Sequence, residues 1–348
     1  MNAEKENPTG IVFHNQRPGN KRSLRQIISS TIFQNSDDPR LEALTLSIES
    51  LPVIKSVSEL KETPQKELEG IGFVVVAGGD GSVGLTENHF NANTVRVLLP
   101  AGSANTLSHG LSENTNKEVE IPEELKAIFP PHLFKCIEYC PPGITCRNPQ
   151  EELDNGKEEI TAYMLGADHM STFCTKIKEE LTEKYPWIDP NLAYIVAGLA
   201  SIFALKNRVE PCNITYYIED EEIQIKNDKK IAAHIISTIP RFGTFHSKAP
   251  LEPDKLRVFD VSANSEIGLF LKYAGAVLIG GLLGLDRAIN AKLINCTDVD
   301  SVSLTPDNNH KVNCNMDGKQ NTRSGKLTIE RVEEPRHYVI PLSTESVL

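Results

Sequence analysis

The chain has 348 residues, 39% hydrophobic and 24% charged, a globular balance in a sequence long enough for two separate cores. Its formal net charge of −11 argues against nucleic acid as a partner, because phosphate contacts need clustered Lys and Arg, and against steady docking on an anionic membrane through overall charge. Seven scattered cysteines do not read as a disulfide framework, and the opening Met1-Asn2-Ala3-Glu4-Lys5 does not read as a signal peptide, so a reducing cytoplasm is the expected setting. His132, Cys136, Cys140 and Cys146 lie close in sequence but lack a tight C-x2-C pair, which favours ordinary thiols over zinc. The best local basic patch is Asn20-Lys21-Arg22 with Arg25.

The first third of the chain alternates between strand and helix periods. Residues 10–13 form a short predicted strand, and residues 21–33 carry helical spacing through Leu24, Ile27, Ile28 and Ile32. Residues 44–48 are expected as a second strand and 56–68 as a weaker helix. Residues 71–77 and 95–99 are continuous apolar runs, the mark of strands buried on both faces of a parallel sheet. The alternation predicts an open α/β sheet covered on both sides.

Beyond about residue 112 the character changes. Residues 112–131 are acidic and proline-bearing, and 141–157 read as a polar, turn-rich insertion. Strand-like segments follow at 214–218, 231–239, 256–261, 299–304 and 326–332. Helical stretches near 192–205 and 267–279 interrupt them; the apolar runs 192–205 and 273–285 both fall short of the roughly 20 apolar residues of a membrane span and are expected to be buried. The expected organisation is an α/β domain with an open, mostly parallel sheet over 1–135, then a β-rich, mostly antiparallel domain over 136–348. The polar insertion falls at about 141–158, and the C-terminal segment is free to pack back on the first domain. A ligand cleft is expected between the domains.

Two glycine loops carry the chemistry. After the apolar run ending at Ala77 comes Gly78-Gly79-Asp80-Gly81-Ser82-Val83-Gly84, and after the next run comes Pro100-Ala101-Gly102-Ser103-Ala104-Asn105-Thr106. Glycines let the backbone turn sharply and bring N–H groups to an anion. At the carboxyl ends of parallel strands, the two loops would face one crevice. Gly79, Gly81 and Gly84 satisfy the dinucleotide pattern G-x-G-x-x-G, but no acid follows about 20 residues on, and Asp80 would repel a pyrophosphate unless a cation intervened. A hydrolase elbow would need glycine where Asp80 stands. Two readings of Asp80 stay open: a carboxylate that organises Mg²⁺ beside phosphates, or a residue that caps a turn.

These motifs, in this order, resemble the diacylglycerol kinase catalytic superfamily, which includes sphingosine and ceramide kinases. Asn15-Gln16-Arg17-Pro18-Gly19 with Lys21 is similar to the family's N-P-x-S-G signature, Gly78 to Ser82 to its G-G-D-G-T, and Pro100 to Asn105 to its P-x-G-T-x-N. Leu165-Gly166-Ala167-Asp168, Phe242-Gly243-Thr244-Phe245, Asp254 with Leu256, and Asn315-Met316-Asp317-Gly318-Lys319 resemble later family motifs. Lys319 replaces the family glutamate, and Thr106 a family aspartate. The resemblance implies a two-domain lipid-kinase or NAD-kinase-like architecture that transfers the γ-phosphate of ATP to a lipid hydroxyl. Nucleotide would meet Asn15, Gly19, Lys21, Gly78, Gly79, Gly81, Ser82, Gly102, Ser103 and Asn105. Asp80 would organise Mg²⁺, with Asp254 a further metal candidate, and Asp317 would act as general base. The implied partners are a lipid substrate and, transiently, a membrane surface, with room for a homo-oligomer; a catalytically silent descendant is the alternative.

Overall fold

The computed structural model describes residues 9–15, 22–33, 38–101, 105–113, 117–147, 158–161, 164–166, 169–185, 187–202, 212–219, 221–225, 230–238, 241–242, 245–247, 251–252, 254–306, 311–316, 319–324, 326–332 and 334–342. It divides into two compact units, Met1–Cys140 with Glu334–Leu348, and Pro141–Glu333. The expected boundary after residue 135 falls inside a strand, Phe134–Tyr139, that belongs to the first unit's sheet.

The first unit is built on one seven-stranded sheet. Its strands are β1 (Gly10–His14), β2 (Val53–Ile54), β3 (Phe73–Gly78), β4 (Val95–Pro100), β5 (Lys117–Val119), β6 (Phe134–Tyr139) and the late strand β21 (Arg336–Pro341), in the order β2-β1-β3-β4-β21-β6-β5. Strands β2, β1, β3, β4 and β21 run parallel, whereas β6 and β5 are antiparallel additions. The apolar runs behave as their composition demands: all of Phe73–Ala77 and Val95–Leu99 are buried.

Helices α1 (Leu24–Ile28), α2 (Pro39–Glu49), α3 (Val57–Glu62), α4 (Gln65–Leu68), α5 (Asp80–His89), α6 (Thr106–Glu113) and α7 (Glu123–Lys126) complete this unit. Ser23 and Gln26 close a capping box at the start of α1, which runs on as a π turn, Ser29–Phe33. The predicted strand at 44–48 is instead the second half of α2. Asp38 caps that helix with Pro39 at its first position, and Leu41, Leu44 and Ile48 share the buried face while Leu46 faces solvent. A short apolar run does not reveal its period; the Asp-Pro start signal does. The expected helix over 56–68 is two short ones, parted at Thr63-Pro64.

The second unit holds two six-stranded antiparallel sheets. One contains β7 (Pro142–Arg147), β8 (Glu158–Thr161), β10 (Cys212–Ile218), β11 (Glu221–Ile225), β17 (Ser301–Pro306) and β20 (Lys326–Arg331). The other contains β9 (Met164–Gly166), β12 (Lys230–Ser237), β15 (Leu256–Ala263), β16 (Asn295–Val299), β18 (Lys311–Met316) and β19 (Lys319–Ser324), and a small hairpin pairs β13 (Arg241–Phe242) with β14 (Phe245–His246). The expected strand at 299–304 breaks at Asp300, so that β16 and β17 enter different sheets. The start of the expected polar insertion is strand β7, paired with β20 and β8.

Helices α8 (His169–Lys184), α9 (Pro190–Ile202), α10 (Glu266–Leu283) and α11 (Leu285–Asn290) belong to this unit. Leu269, Tyr273, Ala276 and Val277 of α10 pack with Ile195 of α9, Ile235 of β12 and Phe259 of β15. A Cβ at Gly198 of α9 would lie 2.9 Å from Val277, so the glycine permits this close approach, and Ser201 hydrogen-bonds the Tyr273 hydroxyl at 2.8 Å. The expectation of fully buried apolar helices fails on their outer faces. Leu192 and Val196 of α9 and Ile267, Leu271 and Leu282 of α10 are exposed. By length and composition α10 could cross a membrane, but its inner face belongs to the core.

Candidate functional site at the carboxyl ends of the parallel strands

The chain passes from β1 to β2 on one side and returns to β3 on the other, so β1 and β3 flank a topological switch point. In open α/β sheets ligands bind outside the carboxyl ends of the strands at such a point. Asn15 follows β1 there, Gly79 to Ser82 follow β3, and Ala101 and Asn105 follow β4.

A single residue, Gly79, separates β3 from α5. A Cβ on Gly78 would sit 2.5 Å from Ser82 Oγ and 2.7 Å from Ser82 Cβ, so only glycine lets the helix start this close to the strand. Ser82 N–H donates to the Gly79 carbonyl at 2.8 Å, and Asn15 Nδ2 reaches Ser82 Oγ at 3.5 Å, the outer limit of a hydrogen bond. The second loop is held against the first, because Ala101 N–H donates to the Gly78 carbonyl at 3.0 Å. Arg22 Nη2 donates to the Ala101 carbonyl at 3.3 Å.

Asp80 joins the two loops. Its Oδ1 accepts the N–H of Leu107, in the first turn of α6, at 3.0 Å. That bond satisfies one of the amides a helix start leaves open, a cap supplied from another helix. Asn105, just before α6, adopts φ 48°, a left-handed conformation Asn tolerates better than most residues, and its carbonyl accepts the His109 N–H. Two helix N-termini therefore meet at one carboxylate. Their partial positive charge and the glycine amides suit phosphate oxygens. Next to Asn15, His14 is buried, and burial pushes its pKa below the usual imidazole value, while a hydrogen bond with the Arg22 backbone works the other way.

Seven predicted residues, Asn15, Gly78, Gly79, Asp80, Gly81, Ser82 and Asn105, thus lie around the ends of β1, β3 and β4. Gly19, Lys21, Gly102, Ser103 and Asp317 lie outside the described residues. The segment bearing Gly19 and Lys21 has both flanks, Asn15 and Arg22, bonded to the glycine loops. The register of β18 and β19 sets Met316 opposite Lys319. Asp254 belongs to the second unit and is exposed.

Sequence reasoning missed Arg22 as a contact of the second loop, having placed it in a surface basic patch. It also missed the anchor of α5. The buried Glu87 carboxylate meets Arg96 Nε of β4 at 3.1 Å, accepts the Tyr338 hydroxyl of β21 at 3.1 Å and pairs with Arg336 of β21. Arg96 donates onward to the carbonyls of Ala92 at 3.0 Å and Phe90 at 3.2 Å. No local pattern announces a partner 249 positions away. Among the described residues no three His, Cys, Asp or Glu side chains cluster to hold a metal. Cys136 lies in the first core, where burial pushes its thiol up to about 11.

No protein-family model and no curated protein sequence matches the chain. Solved structures do. A diacylglycerol kinase from Bacillus anthracis str. Sterne superposes with a TM-score of 0.53 at 15% identity over 95% of this chain and 96% of that one. Two structures from the same organism, provisionally described as diacylglycerol kinases, give 0.57 at 17% identity and 0.55 at 15%, again over 95% of this chain and 96% and 97% of theirs. The chain has a diacylglycerol kinase-like fold, an α/β unit with a mostly parallel sheet followed by a unit of antiparallel sheets.

Proposed function

We propose that the protein is an ATP-dependent lipid kinase that phosphorylates a hydroxyl of a diacylglycerol, sphingoid base or ceramide. The observation that carries this reading is the convergence of two helix N-termini on Asp80, in the glycine-rich turn after β3 at the switch point of the parallel sheet. Backbone amides at Gly79 to Gly81 and the start of α6 would receive phosphate oxygens, with Asn15 and Asn105 beside them. Lys21, Gly19, Gly102 and Ser103 complete the nucleotide set by resemblance.

A single carboxylate with phosphates nearby suits Mg²⁺, which keeps several waters and takes one or two carboxylates together with nucleotide oxygens. Asp80 would hold it, and the ion would neutralise charge developing on the transferred group. In the transfer the lipid oxygen bonds to the γ-phosphorus, the bond from that phosphorus to the β–γ bridging oxygen breaks, and ADP leaves. The hydroxyl proton passes to a base, the role assigned to Asp317. The reaction would run in the cytoplasm, at a membrane surface that presents the lipid.

A second reading, a nucleotide- or lipid-binding descendant without transfer, draws on one observation. The Asp80–Leu107 bond gives the loop a structural reason to hold an acid. Phosphate transfer from labelled ATP–Mg²⁺ to diacylglycerol, monoacylglycerol, sphingosine and ceramide in mixed micelles separates the two. Asp80→Asn keeps an oxygen for the Leu107 amide and removes the charge, whereas Asp80→Ala removes both. A kinase loses at least about a hundredfold in rate with either variant and with Asp317→Asn. If no lipid is labelled while ATP still binds, the descendant is the correct reading.

A further inference from the structure

We propose that the outward face of α10 seats the protein in the interfacial layer of an anionic lipid bilayer. Ile267, Leu271 and Leu282 are 74, 63 and 67% exposed, and Phe270 and Leu278 are 43 and 40% exposed. Steps of three, four and seven place all five on one stripe of a 3.6-residue helix. The opposite stripe, Leu269, Tyr273, Ala276 and Val277, is locked into the core of the second unit. The helix is therefore apolar on both sides, and the unit itself accounts for only one of them.

Charge selects the occupant. The protein carries 47 acidic and 36 basic residues, yet from Ile267 to Leu285 there is no acid and the one charged residue is Lys272. Exposed Arg287 and Lys292 follow at the carboxyl end of the stripe. Exposed Glu266 borders the amino end and Asp286, which accepts the Ser247 hydroxyl, precedes Arg287, so the strip itself is acid-free and its exposed cations gather beyond one end, where they complement anionic headgroups beside lipid tails. From Ile267 to Leu282 the stripe runs about 22 Å at 1.5 Å per residue. With its inner face fixed in the core, the helix cannot cross the bilayer and lies in its plane. Overall charge opposes long-range attraction, so attachment is reversible and rests on apolar insertion.

The test uses the full chain with vesicles of phosphatidylcholine and phosphatidylserine at about 7:3, without substrate lipid or ATP, so it is independent of the kinase reading. Co-sedimentation is compared for the wild type, for Leu271→Gln/Leu278→Gln/Leu282→Gln, and for Arg287→Gln/Lys292→Gln, with thermal melts to show that each variant folds. The expected result is vesicle binding by the wild type, at least about tenfold weaker binding by the apolar triple variant, and loss of the preference over pure phosphatidylcholine in the cationic double variant. No wild-type binding, or equal binding by the folded triple variant, overturns the proposal. A dimer in analytical ultracentrifugation that the triple variant dissociates overturns it in favour of a second copy.

Discussion

Two buried ionisable groups, one in each unit, are accommodated by different means. In the first, Glu87 keeps company with Arg96 and Arg336 inside the fold, in a network that spans α5, β4 and β21. In the second, His234 of β12 stands opposite Asp260 of β15, fully buried and stacked on Tyr216 with ring centroids 5.8 Å apart. Burial pushes its pKa down to about 4 against the opposing pull of Asp260, so the ring stays neutral at physiological pH. Neutral donors, Ser262 Oγ and Asn295 Nδ2, each 2.9 Å from Asp260 Oδ1, serve the carboxylate. A buried ion network costs desolvation but fixes which elements meet. A buried neutral imidazole is compatible with the fold only above a certain pH.

The largest effect should come from breaking the ion network on one side. Glu87→Ala strands two guanidinium groups and is expected to destabilise the first unit by about 3–5 kcal/mol in urea unfolding. Replacing Glu87, Arg96 and Arg336 together by apolar residues of similar volume should cost far less, and an equal cost would show that packing, not charge, is the anchor.

Acid should weaken the second unit. The His234 pKa is about 6.5 unfolded and about 4 folded, so between those values the unfolded chain binds the extra proton. The contribution is whole above pH 6.5 and disappears as pH falls towards 4, a loss on the order of 3 kcal/mol in the second unit. Urea midpoints at pH 7 and pH 5 should draw together in His234→Gln; an unchanged gap would sink the assignment.

Next in size is Gly78→Ala. Its methyl would meet both Cβ and Oγ of Ser82, and a turn of the hydroxyl relieves only the second contact, so α5 must shift. The expected cost is about 1–3 kcal/mol, with weaker nucleotide binding in calorimetry. The smallest is Ser23→Ala, which opens the capping box of α1 for about 1 kcal/mol by thermal melt and leaves the glycine loops intact.

What the sequence reveals follows the range of the interaction. Strands β3 and β4 declare themselves because burial on both faces leaves an unbroken apolar run, and Gly78 to Ser82 because a tight passage from strand into helix needs glycine in one place. The bond from Asp80 to Leu107 joins residues 27 apart, and that from Glu87 to Arg336 joins residues 249 apart, so neither leaves a local pattern. Residues 44–48 misled because five residues hold too little of either period. For α10, apolar composition was plain, but composition does not say that only one face meets the core. β7 hid inside a stretch rich in prolines and polar residues.

The placement of β21 has a consequence for biosynthesis. This strand lies between β4 and β6, yet the ribosome makes it only after the whole second unit. Until then β4 and β6 each present an unpaired edge, and Glu87 lacks Arg336 and Tyr338. Nascent chains must therefore hold an open gap in the first unit's sheet while nearly 200 intervening residues emerge, an interval in which edge pairing with another chain competes with completion. A product truncated before Arg336 would keep both glycine loops in sequence and still lack the strand that closes the sheet behind them, which makes it a natural client for chaperones and proteases.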